Sequence, residues 1–154
     1  YVAERPSAEV ISDKGIWSVP VDLAFPCATQ NELHETDAKM LVTNGVVAVV
    51  EGANMPTTPD AIALLADSGV AFGPAKAANA GGVATSALEM QQNASRDTWS
   101  FEYTEARLTD IMKSIHRTCY EAAADYGDPG NYVLGANVVG FLRVSQAMVA
   151  MGVV

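Results

Sequence analysis

A chain of 154 residues has room for one core rather than two, and 49% hydrophobic against 18% charged residues set intrinsic disorder aside. Nine basic against eighteen acidic side chains give a formal net charge of −9, which argues against nucleic acid and against an anionic membrane as partners. Cys27 and Cys119 fit no Cys-x-x-Cys or Cys/His ligand spacing, and His34 and His116 each stand alone, so reduced thiols, no metal site and a cytoplasmic setting are expected. No uninterrupted apolar run approaches the roughly 18 residues of a membrane span, so the chain reads as soluble. Tyr1 is not an initiator methionine and no leader precedes it, from which the sequence is expected to begin within a longer protein.

In chain order, the first candidate strand is 7–11, ending in Val10-Ile11. The second, 21–25, is short, mostly apolar and closed by Pro26; the third, 46–50, is wholly apolar and rich in β-branched residues. Between the last two, 36–42 reads as a helix ended by Asn44-Gly45. Thr58-Pro59-Asp60 then offers an N-cap hydroxyl, a proline at the first helical position and a carboxylate in the first turn, with Gly69 as the stop. A shorter strand follows at 70–72. Apolar strands without a wet face belong in a parallel sheet covered on both sides. The order strand, helix, strand, helix, strand over 21–72 therefore implies right-handed crossovers and an α/β, Rossmann-like, mainly parallel sheet.

Next comes Lys76-Ala77-Ala78-Asn79-Ala80-Gly81-Gly82-Val83-Ala84-Thr85-Ser86, read as a strand-to-helix junction whose glycines permit close approach and whose helix N-terminus attracts anions. Val83 and Ser86, three residues apart, share one helix face and offer an apolar wall and a hydroxyl to the same ligand. The plain alternative is a glycine-softened helix start packed on the sheet. After Asp97-Thr98-Trp99-Ser100, residues 105–126 carry Leu108, Ile111, Met112, Ile115 and Cys119 at helical spacing, with Gly127 as the stop. Beyond the turn Asp128-Pro129-Gly130-Asn131, the stretch Tyr132–Met151 is apolar on nearly every side. It is expected to be a helix packed against two surfaces, with Met148 and Met151 filling core.

In an open parallel sheet the ligand lies beyond the carboxyl ends of the strands. Three loops leave that edge: Pro26-Cys27-Ala28-Thr29-Gln30-Asn31, Glu51-Gly52-Ala53-Asn54-Met55-Pro56, and the passage from Phe72 through Gly73 and Pro74 to Asn79. Small side chains admit a planar heterocycle against backbone, and Asn supplies both a donor and an acceptor for a carboxamide or a ribose hydroxyl.

These three loops, with Tyr132-Val133-Leu134-Gly135-Ala136-Asn137-Val138-Val139-Gly140-Phe141, resemble the glutamate dehydrogenase family, specifically its hexameric, NADP-using bacterial branch. The resemblance runs over essentially the whole chain, through the long motifs 26–33, 51–58 and 76–90, and marks it as the C-terminal third or so of such an enzyme. It implies that 1–94 form the second half of a dinucleotide-binding domain. Residues 95–154 then form a helical segment that packs on this half and toward a substrate domain. By the same resemblance Ala28 and Thr29 run beside the nicotinamide and its ribose, Asn54 contacts the nicotinamide side of the cofactor, and Asn79 lies near the nicotinamide and the substrate. Val83 lies against the substrate methylenes, and Ser86 helps hold the far carboxylate of glutamate.

The implied partners are NADP, with NAD as the other candidate, L-glutamate or 2-oxoglutarate with ammonia, and further copies of the subunit in a hexamer. The family's catalytic lysine and aspartate, its substrate lysines and its Gly-x-Gly-x-x-Gly turn match nothing in this chain, so no catalytic residue is expected within it. Three other readings stay open. One is a leucine- or phenylalanine-type dehydrogenase, in which an apolar residue replaces the Ser86 hydroxyl; the second is a noncatalytic nucleotide-binding module, and the third a noncatalytic structural remnant. Half a doubly wound sheet leaves an open edge, so the isolated chain is expected to aggregate or to be only marginally stable.

Overall fold

Three short parallel strands form the sheet on which the rest of the molecule is built. The computed structural model describes residues 2–8, 10–11 and 15–152. The strands are β1 (Leu23–Ala24), β2 (Ala48–Val50) and β3 (Ala71–Gly73), in the spatial order β1-β2-β3. Register sets Ala24, Val49 and Phe72 side by side, and Leu23, Ala48 and Ala71 in the neighbouring row. Because side chains alternate across a strand, these rows face opposite ways.

The Ala24, Val49 and Phe72 row meets α1 (Glu35–Thr43) and α2 (Pro59–Asp67), where Leu33, Ala38, Leu41, Val46, Ala61 and Leu65 complete the buried core. The α1 N-terminus is fixed by the Asp37 carboxylate, which accepts the His34 N–H at 2.9 Å. At α2 the expected Thr58 hydroxyl cap is not used. Proline at the first position and the Thr58 carbonyl, accepting from Ile62, start this helix.

The strands are shorter than the apolar runs that announce them. Val46, for example, is buried but donates its N–H to the Leu41 carbonyl, so it belongs to the turn out of α1. Of the first candidate strand, residues 7, 8, 10 and 11 are not in a strand, and Glu9 lies outside the described residues. Among the described residues no strand pairs with the outer edge of β1, and Leu23 and Phe25 beside it are 52% and 55% exposed.

On the opposite face β3 leads into α3 (Ala75–Ala78) and α4 (Ala80–Ser95), followed by α5 (Phe101–Asp125) and α6 (Tyr132–Met151). The Ser100 hydroxyl caps α5 by accepting from the Tyr103 N–H at 3.2 Å. Hydrogen bonds from backbone and from Ser100 hold the exposed Glu102 carboxyl below its usual range. A cavity of about 370 Å³ separates the sheet from α5; Ala48, Val50 and Ala71 line one side, Met112, Ile115 and Cys119 the other. Burial pushes the Cys119 thiol up.

The helices α5 and α6 cross where Gly135 and Ala136 meet Cys119 and Ala123, all four buried. A Cβ on Gly135 would stand 2.0 Å from the Cys119 carbonyl oxygen, so only glycine permits this approach. The first part of α6 also meets a second surface, with Val133 against the core and Asn137 accepting from Lys76, but its outer part is largely exposed. Phe141, Val144, Val149 and Met151 are 59–79% exposed, and Met148 is exposed rather than core. At 20 residues α6 is also long and apolar enough, by length and composition, to cross a membrane, which corrects the expectation drawn from uninterrupted runs. Asn137, Arg143, Ser145 and Gln146 interrupt the sequence without making the helix polar. A mid-helix Arg143 would be costly in lipid.

The Gly135→Ala substitution is expected to force the two helices apart and to destabilise the fold by about 1–3 kcal/mol, in the range of core overpacking. Chemical denaturation measures it, and Gly140→Ala, with open space around its Cα, is the matched control with little effect.

Candidate functional site

Parallel strands send their following loops to one edge, and backbone hydrogen bonds join those loops into a continuous rim. At its base the Gly52 and Ala53 N–H groups both donate to the Pro26 carbonyl at 3.0 Å. A Cβ on Gly52 would stand 2.4 Å from Cys27 Sγ, so a side chain there would displace the Cys27 thiol. Farther out, the Asn31 N–H donates to the Met55 carbonyl at 3.0 Å and the Leu33 N–H to the Pro56 carbonyl at 3.0 Å. Leu33 and Thr57 form an isolated parallel bridge. Asn31 and Met55 sit at these loop tips with φ of 55° and 52°. For a side chain such as Met, a left-handed backbone costs on the order of 1–2 kcal/mol, which the cross-links hold in place.

Two carboxylates brace the rim from within. The Glu32 Oε1 accepts the N–H groups of Ala28 at 2.8 Å and Thr29 at 3.3 Å, which curls the first loop. The Glu51 carboxylate, only 4% exposed, accepts the Thr57 N–H at 3.2 Å on Oε1 and the Ala75 N–H at 2.6 Å on Oε2. It thereby ties the second loop to the start of α3. Asn79, at the break between α3 and α4, returns the connection: its Nδ2 donates to the Ala53 carbonyl at 3.1 Å. Lys76 Nζ donates to Asn137 Oδ1, linking α3 to α6.

Of the six residues singled out from sequence, Ala28, Thr29, Asn54 and Asn79 all lie on these joined segments. The first three are exposed and Asn79 is half-buried. Val83, 71% exposed, and Ser86, also exposed, stand about one and two turns beyond Asn79 on α4. Four of the six thus share the open rim, Val83 and Ser86 stand on exposed turns of α4, and the cavity under α5 is lined by none of them.

The glycine junction also differs from the expectation. Helix begins at Ala75, not at Gly81-Gly82, and the first free N–H of that start is taken by Glu51 rather than offered to an anion. Of the two glycines, Gly81 faces α5, where a Cβ would meet Met112 Sδ at 3.7 Å, and Gly82 faces open space. Gly81 thus serves helix packing, and close approach by a ligand is left to Gly82.

The polar groups left available suit a planar, amide-bearing partner. Asn79 Oδ1 and the whole Asn54 side chain make no hydrogen bond to a described residue. Between them they offer acceptors and a donor beside small residues, as a carboxamide and ribose require. These residues fit the nicotinamide end of a dinucleotide; the chain holds no glycine turn of the Gly-x-Gly-x-x-Gly type for its pyrophosphate.

Sequence reasoning passed over Glu32 and Glu51. For Glu51 the available signal was an acid set directly after a wholly apolar strand, where an unmet charge would be costly; Glu32, in a polar loop, carried no such signal. Their backbone partners leave no mark in sequence.

Comparison with known proteins bears on the same segments. The NADP-specific glutamate dehydrogenase of Salmonella typhimurium is 58% identical over 138 residues, which cover 90% of this chain and 31% of that protein. The NAD(P)-specific glutamate dehydrogenase of Xylanibacter ruminicola is 46% identical over 98% of this chain and 34% of its own length. In a solved structure, the Plasmodium falciparum glutamate dehydrogenase superposes with a TM-score of 0.85 at 46% identity, over 88% of this chain and 29% of that one. The chain therefore spans about a third of the length of the relatives it matches. The family described as Glutamate/Leucine/Phenylalanine/Valine dehydrogenase matches residues 1–152, and the chain belongs to this family of enzymes.

Proposed function

We propose that the protein carrying this chain catalyses the reversible reaction of L-glutamate, NADP⁺ and water to 2-oxoglutarate, ammonium, NADPH and a proton, in the cytoplasm and as a homohexamer. The observation that carries the reading is the braced rim, in which Ala28, Thr29, Asn54 and Asn79 lie on mutually hydrogen-bonded segments at the carboxyl edge of a parallel sheet. The names of the relatives support the substrate and the cofactor, with NAD as the other candidate.

In this reading Ala28 and Thr29 run beside the nicotinamide and its ribose, and Asn54 and Asn79 present their free amide atoms to that end of the cofactor. Val83 packs against the substrate methylenes. Ser86 donates its hydroxyl to the far carboxylate, a group whose burial would be costly without donors. When bound, the dinucleotide supplies the hydride acceptor. The visible residues bind and orient, while proton transfer and pyrophosphate binding fall to sequence outside this chain. Residues 1–94 contribute the second half of the dinucleotide domain, and 95–154 extend from it toward a substrate domain, against which the exposed half of α6 packs. Closure between the two domains excludes water from the rim.

In the full-length enzyme, Ser86→Val is expected to lower kcat/KM for glutamate by about 10–100-fold, the effect of losing a hydrogen bond to a charged group, with less loss for leucine. Equal losses on both substrates would contradict the role given to Ser86. Calorimetric titration of the 154-residue chain with NADP is expected to show a Kd weaker than about 0.1 mM, or about −5.5 kcal/mol. Tighter binding would instead favour a self-sufficient nucleotide-binding module.

A further inference from the structure

Glu51 plays no part in the reaction as described, yet both oxygens of its carboxylate are committed. Oε1 accepts from Thr57, the residue that closes the Asn54 loop, and Oε2 from Ala75, the first residue of the helix that ends at Asn79. Its own N–H donates to the Gly73 carbonyl at 2.9 Å, so the residue is also part of the sheet. The Asn79 bond to Ala53 completes a ring that runs from Glu51 through Ala75, Asn79 and Ala53 back to Glu51. Asn54 is the next residue after Ala53. Both amides offered to the nicotinamide end therefore hang on one buried carboxylate.

Val83 and Ser86 lie outside this ring, on a helix seated against α5 at Gly81. A side chain that only filled the space would be replaced without loss by the isosteric amide. A side chain that works as two acceptors would not be, because an amide turns one acceptor into a donor that faces an N–H.

We propose that Glu51 is a positioning residue for the dinucleotide: through the two N–H groups it accepts, it holds Asn54 and Asn79 in one frame, and cofactor affinity depends on it more than glutamate affinity or turnover does. The proposal rests on the glutamate dehydrogenase reading above. In the full-length enzyme, Glu51→Gln is expected to raise KM for NADP about tenfold, as loss of one charge-assisted hydrogen bond implies. The same variant should change kcat and the KM for glutamate less than about twofold. Glu51→Asp, with both acceptors on a shorter stem, should fall between wild type and Gln. An unchanged KM for NADP in Glu51→Gln overturns the proposal, and so does a parallel rise in both KM values, the pattern of general loosening. Should Glu51→Gln fail to fold, the dinucleotide Kd of Glu51→Asp decides, and an unchanged value overturns the proposal. Wild-type turnover of glutamate with NADP is the control: its absence overturns the activity and this proposal together, whereas its presence beside unchanged variants overturns this proposal alone.

Discussion

Removing the Glu51 carboxylate from water costs several kcal/mol unless its lone pairs are met, and here the Thr57 and Ala75 N–H groups meet them. Each hydrogen bond to such a charged group is worth about 1.5–3 kcal/mol, so the backbone of two separate segments is drawn to one point. That point lies at the carboxyl end of the central strand, where the chain leaves β2. The second loop, the start of α3 and the last residue of β3 are thereby held in one arrangement. Glu32 does the same for the first loop through Ala28 and Thr29. Loops rich in glycine, alanine, asparagine and proline have many conformations open to them, and the two acids restrict these through the N–H groups they accept.

The helices on the two sides of the sheet contribute differently. Against α1 and α2 the sheet is fully packed, with Leu33, Val49 and Leu65 wholly buried. Toward α5 the contact is incomplete and a cavity remains, while the first half of α6 is seated through its glycine crossing at Cys119, through Val133 against the core and through the Lys76–Asn137 hydrogen bond. Phe141, Val144 and Met148 form an exposed apolar row on the side of α6 away from its buried Gly135 and Ala136. An exposed apolar row of this kind is a surface suited to a further contact.

Much of this architecture was legible in the sequence where local chemistry was strong. The β-branched run at 46–50 gave β2, Thr58-Pro59-Asp60 gave α2, and the spacing of Leu108, Ile111, Met112, Ile115 and Cys119 gave α5. Strand lengths were not legible, because an apolar residue such as Val46 is buried equally well in a turn. The break at Asn79 lies in a stretch of alanine and glycine with no breaker strong enough to announce it. The limited packing of α6 escaped notice because composition says that a face is apolar and not what covers it. The three loops of the rim could be placed at one edge from strand direction alone. The acids that brace it could not, since their partners are main-chain N–H groups common to every residue but proline.

The central claim is that a rim braced by Glu32 and the buried Glu51 receives the nicotinamide end of a dinucleotide. Amide hydrogen exchange on the full-length protein, with and without NADP, tests it most directly. The account predicts that Thr57 and Ala75 are protected in both conditions, as partners of a buried carboxylate, and that Asn54 and its neighbours gain protection only when NADP is present. Exchange of Thr57 and Ala75 at the rate of open loops, or no change around Asn54 on saturation with NADP, would contradict it.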